Sequence, residues 1–152
     1  MRFLGLVMLL FAIATTEPAA AQALPNVLFP GSAYPSVARG TNVWCAIEPG
    51  SAGFQRNGAA AARITVPEVT YVNHSGTPAL SYRLGGLVVL TFANSTSGTV
   101  AFIVTGGAPT SISRATFTNY VQTYNSTVRS LNVTFWIRFP SCTLPVRLFF
   151  RT

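Results

Sequence analysis

The sequence predicts an all-β chain folded as an antiparallel β-sandwich of about seven to eight strands. Three observations carry that expectation: apolar residues that alternate with polar ones, turn residues at short intervals, and two cysteines placed towards opposite ends of the strand-rich region.

The chain starts with a segment of different character. Arg2 supplies positive charge, residues 3–14 are an apolar run, and Ala19, Ala20, Ala21 and Ala23 offer small residues for cleavage. Together they predict a signal peptide over 1–21, cleaved after Ala21 or Ala23. The apolar run is well short of the roughly 20 residues that cross a bilayer, so no retained transmembrane helix is expected. The chain is accordingly expected to be exported, to the periplasm, the cell surface or the extracellular space. Residues 22–40 carry Pro25, Pro30, Gly31, Pro35 and Gly40, breakers that predict an extended arm ahead of one domain at 41–152.

Within that domain the first strand is expected at 42–47, followed by a Gly- and Ala-rich loop over 49–62. Residues 63–72 favour a strand, but the apolar phase moves from Ile64 and Val66 to Val69 and Tyr71 across Pro67. A β-bulge or an edge position accommodates such a shift. Leu80, Tyr82 and Leu84 alternate with polar residues, and after Gly85-Gly86 the runs 87–92 and 98–104 form the expected centre of the sheet, joined by a turn at 94–98. Residues 113–124 stay open between a short helix and a strand, because Phe117, Tyr120, Val121 and Tyr124 have helical spacing while the threonines favour a strand. At the C-terminus, Leu131, Val133, Phe135, Ile137 and Phe139 share one face, as do Leu144, Val146, Leu148 and Phe150. A hairpin through Pro140 and Ser141 puts both apolar faces on the same side when Ile137 stands opposite Leu144 or Val146. Pro145 has no backbone N–H, so the last strand is expected at an edge or with a bulge.

Cys45 and Cys142 are the whole cysteine complement. In an exported chain they predict one disulfide, closing a loop of nearly a hundred residues and contributing about 4–5 kcal/mol in the chain-entropy account.

Ionisable groups limit the chemistry. The sequence has no Lys and no Asp; beyond the signal it holds nine Arg against Glu48 and Glu68, a net charge of +7, with His74 the one histidine. A nucleophilic triad or a paired-carboxylate site needs almost all of those non-Arg groups in one place, so no catalytic residue, no metal site and no cofactor is expected. Gly85-Gly86 and Gly106-Gly107 lack the Lys and Ser/Thr of a phosphate-binding loop and read as turns or bulges. Sequons at Asn73, Asn94, Asn125 and Asn132 are candidate glycosylation acceptors, relevant only where the host glycosylates exported chains.

The expected functional surface is the outer side of the C-terminal hairpin. With the apolar residues inward, Trp136 and Arg138 face outward beside Arg147, Phe149 and Arg151. Aromatic platforms with guanidinium forks suit a protein interface or a glycan or anionic surface, while export argues against nucleic acid. The leading expectation is therefore a non-catalytic structural or interaction module, such as a surface-fibre subunit whose arm adds a strand to a neighbour. The alternative is a carbohydrate-binding or anionic-ligand-binding module.

Overall fold

The computed structural model describes residues 29–74, 80–104 and 114–151; the signal peptide expected at 1–21 and residues 22–28 lie outside them. The described residues form eleven strands and no helix: β1 Phe29–Ala33, β2 Ser36–Gly40, β3 Val43–Ile47, β4 Gly50–Asn57, β5 Ala61–Thr65, β6 Val69–Asn73, β7 Leu80–Phe92, β8 Gly98–Val104, β9 Arg114–Asn125, β10 Ser130–Phe139 and β11 Cys142–Arg151. All pairings are antiparallel, in the order β2-β3-β6-β7-β5-β4-β1-β11-β10-β9-β8, with a further β7–β8 pairing. That last pairing closes a ring of eight strands, β7-β5-β4-β1-β11-β10-β9-β8. The expected sandwich is thus corrected to a closed barrel, from which β6, β3 and β2 continue beyond β7.

Chain order explains the closure. β2 continues the run of β1, β3 leads into β4 and β5 into β6, so eleven segments make eight passes of chain, each antiparallel to the next. The first pass then meets the last, where Gly31, Ser32 and Ala33 stand opposite Phe150, Phe149 and Leu148. The expected arm therefore contains β1 and β2, with β1 paired on both sides, to β11 and to β4. The loop expected over 49–62 is mostly strand, because Ala52, Phe54 and Arg56 alternate inward along β4.

The breakers in the first four passes line up. Pro35 and Pro49 sit in the gaps β1/β2 and β3/β4, Pro67 in the gap β5/β6, and Gly85-Gly86 within β7. Glu48 donates its N–H to the Glu68 carbonyl (3.0 Å) and Val66 to the Gly86 carbonyl (2.9 Å), so these interruptions are neighbours across the sheet. Thr65 faces Leu87 but Val69 faces Leu84, leaving one extra residue on the β5/β6 side. This is the bulge expected from the phase change at Pro67. Pro67 also lies against Gly50, whose φ is +148°; a Cβ there would come within 2.9 Å of the proline ring. The four passes are creased along one line. Below it they build the barrel wall; above it β2, β3 and β6 form a flap.

A disulfide between Cys45 of β3 and Cys142 of β11, with Cα atoms 6.3 Å apart, pins that flap. β3 and β11 are not neighbours in the sheet, and both cysteines are buried. The bond therefore crosses the interior and draws two walls together. Beside it, the Tyr71 hydroxyl donates to the Pro140 carbonyl (2.8 Å), and the Phe139 ring lies 5.3 Å from Tyr71 and 5.7 Å from Phe102.

Residues 114–125 are strand β9, which settles the helix-or-strand alternative. Its helical spacing comes from an irregularity at Asn119, where φ is +56°: Thr134 faces Val121, but Trp136 faces Thr118. The extra residue lets Phe117 and Tyr120 both point inward although they are three apart. The β10–β11 hairpin has the expected register, with Ile137 opposite Leu144. Arg147 accepts the Tyr34 N–H through its carbonyl (3.0 Å), so alternate residues of β11 present backbone groups to β1. Pro145 belongs to that set, two residues past this contact and beyond the paired stretch of β1.

The interior is filled by apolar side chains, including Phe54, Ile64, Leu90, Phe117, Leu131, Ile137, Leu144 and Phe150, each buried. The wall outside carries Ser32, Arg63, Thr65, Thr91, Thr116, Thr123, Asn132, Arg138, Arg147 and Arg151, all exposed.

Candidate binding surface

Four neighbouring strands, β1, β11, β10 and β9, present one outer wall. Alternation along β10 turns Asn132, Thr134, Trp136 and Arg138 away from the core, and alternation along β11 does the same for Thr143, Pro145, Arg147, Phe149 and Arg151. The register aligns them in rows. Arg147 lies opposite Thr134, which faces Val121; Pro145 lies opposite Trp136, which faces Thr118; Thr143 lies opposite Arg138, which faces Thr116.

Trp136 is 46% exposed, so no second layer covers it. Arg138, Arg147 and Arg151 are exposed and Phe149 is half-buried. The five residues expected on one surface therefore share one wall. Two guanidiniums lean on aromatic rings: Arg147 lies 5.3 Å from the Tyr34 ring centre, and Arg151 5.7 Å from that of Phe149. Such contacts hold a long cation in place without neutralising it.

Tyr34, 44% exposed, is a wall residue that sequence reasoning missed. It joins only because β1 zips onto β11, a long-range pairing with no local signal. β1, β9, β10 and β11 contain no Asp or Glu. The two carboxylate residues among the described residues, Glu48 and Glu68, sit on the crease instead, and their backbones are hydrogen-bonded to one another.

His74 is exposed beyond the far end of β6, its N–H donating to the Asn42 carbonyl (2.6 Å). Five strand residues separate it from Glu68, roughly 20 Å at the rise of a strand. The base and the acids are not gathered into one site. Among the described residues no group of three or more His, Cys, Asp or Glu is placed to hold a metal ion.

The sequons divide by setting. Asn94 and Asn125 are exposed, and their Oδ1 atoms accept the backbone N–H of Thr96 (3.0 Å) and Thr127 (2.9 Å). Asn132 is exposed on the wall, while Asn73 is half-buried and donates to the Tyr71 hydroxyl (3.1 Å).

The other residue missed from sequence is Arg56, buried at 3% exposure inside the barrel rim opposite the disulfide. Its Nε donates to the Gly58 carbonyl and its Nη1 to Gln122 Oε1 (3.1 Å), and its guanidinium stacks 3.9 Å from the Phe92 ring centre. Tyr120 donates its hydroxyl to the same Gln122 oxygen (2.8 Å). Burial pushes the Tyr120 phenol up to about 12, against the opposing pull of Arg56. This rim is a cation packed between rings, and its guanidinium has been placed inward by the same alternation that buries Phe54.

Comparison with protein-family models, with curated proteins and with solved structures gave no match.

Proposed function

We propose that this chain is an exported, non-catalytic interaction module that recognises its ligand on the outer wall of β1, β9, β10 and β11. The observation carrying this reading is an exposed Trp136 set among Arg138, Arg147 and Arg151 on strands that hold no carboxylate. Aromatic and Arg side chains are the usual anchors of recognition surfaces. The internal disulfide is consistent with an oxidising compartment. The separation of His74 from Glu48 and Glu68 supports recognition rather than turnover, since acid and base roles need groups within hydrogen-bond reach of one reacting centre.

The fibre-subunit form of the expected module has less support. A donated strand needs a free segment and an open acceptor edge, whereas β1 is already paired on both sides. A lipid-facing barrel carries an apolar band outside and a polar interior; the sidedness of this wall is the reverse.

Binding of the exported chain to an immobilised panel of proteins, neutral glycans and acidic glycans tests the reading. The expected result is a signal without product formation that is lost in the Trp136→Ala, Arg147→Ala double variant. Conversion of any panel member, or binding untouched by the double variant, would reject it.

A further inference from the structure

Resting on that reading, we infer that the wall binds an acidic polysaccharide, a chain of sugar rings bearing carboxylate or sulfate groups. Trp136 stands in a mixed patch rather than a continuous apolar one. Its neighbours across the strands are Pro145 and Thr118, and the flanking rows bring Thr134, Thr143 and Thr116 together with one exposed aliphatic side chain, Val121. A ring beside hydroxyls suits a pyranose, which offers one apolar face to stack and a rim of hydroxyls to hydrogen-bond; the dry core of a protein interface is built from adjoining apolar residues.

Charge selects the acidic form. Arg138 follows Trp136 by two residues on the same face of β10, about 6.8 Å along the strand. Arg147 lies diagonally across β11 on the other side, about 7–8 Å away. The tryptophan therefore has a guanidinium on either side along the strand direction. Arg presents a planar fork that engages carboxylate and sulfate oxygens in pairs. With Tyr34 holding Arg147 from the β1 side, the surface is elongated and positive, complementary to a polyanion running along the β10–β11 hairpin.

The test uses the disulfide-bonded exported chain with three immobilised probes: a polyuronate, a dextran sulfate and neutral dextran. Both polyanions should bind and dextran should not, with affinity falling as salt rises. Trp136→Ala should weaken polyanion binding about fivefold or more, the scale of one lost aromatic contact. The Arg138→Gln, Arg147→Gln pair should weaken it further and flatten its salt dependence. Arg63→Gln, on β5 four strands round the ring from β10, should leave it unchanged. Preference between the two polyanions identifies carboxylate or sulfate as the recognised group. Equal dextran binding, lost in Trp136→Ala, would overturn the acidic specificity and leave the recognition module standing. Polyanion binding that falls as much in Arg63→Gln as in the wall variants would mean diffuse charge attraction and overturn the site. Failure of all three probes while another panel ligand needs Trp136 would overturn the polysaccharide alone; failure of every ligand overturns both proposals.

Discussion

Arg56 and Tyr120 show what a single buried polar group does here. The guanidinium lies inside the barrel with amide and carbonyl acceptors and two ring faces around it, so its charge is spread over many partial contacts. Tyr120 gives that rim a pH signature. Its phenol titrates near 10.0 in an ordinary setting and near 12 here. Between those values the unfolded chain loses the proton while the folded chain keeps it, which favours unfolding. Stability should be insensitive to this group below pH 10 and should decline by about 2–3 kcal/mol as pH rises towards 12. Urea midpoints measured from pH 8 to 12 on the native chain and on Tyr120→Phe would check this, because the variant should lack that share of the alkaline loss. Arg56 was illegible in the sequence for a plain reason: it follows Gly50, Ser51, Ala52 and Gly53, residues too small to display an alternating pattern.

Strand elements differed in how clearly they announced themselves. The β10–β11 hairpin was legible down to its register, because nine large apolar residues alternate without a break and a one-residue slip would expose all of them. Residues 113–124 were not, because an irregularity at Asn119 brings two inward rings to helical spacing. The β1 side of the seam with β11 resembles an extended arm in sequence for a related reason. Pro30, Gly31 and Pro35 look like breakers, yet Gly31 is what permits the seam to close. A Cβ at Gly31 would run into the Phe149 carbonyl oxygen and come within 2.7 Å of the Phe150 Cα. Both obstacles are backbone and cannot rotate away. Gly31→Ala should therefore destabilise the fold by about 2 kcal/mol or more. Amide exchange should quicken first in β1 and in the C-terminal half of β11 if the loss is local to the seam.

At the scale of the molecule, alternation reports which face of a strand is buried but not whether the first strand meets the last. That is why the all-β, antiparallel character was legible while the barrel was not. The cysteines were legible as a pair, yet their effect depends on the crease, which tips the flap far enough for β3 to reach β11 across the interior. The linked residues are 97 apart in sequence. Replacing both by Ala should lower the free energy of unfolding by about 2–5 kcal/mol, measured by denaturant titration. The outer wall should be less affected than the flap, because β10 and most of β11 are held by their own hairpin.

Closure of the ring also makes the order of the strands partly arbitrary. The chain around Phe29 and the chain around Arg151 reach the same rim, where Gly31 and Phe150 are already partners. A short polar linker joining 29 to 151 would turn the fold into a circle, and the exposed turn at 126–129 could then be opened as a new pair of ends without cutting a strand. Such a circular permutant would bring β10, and with it Trp136, to the start of the polypeptide while every neighbour in the ring stayed the same.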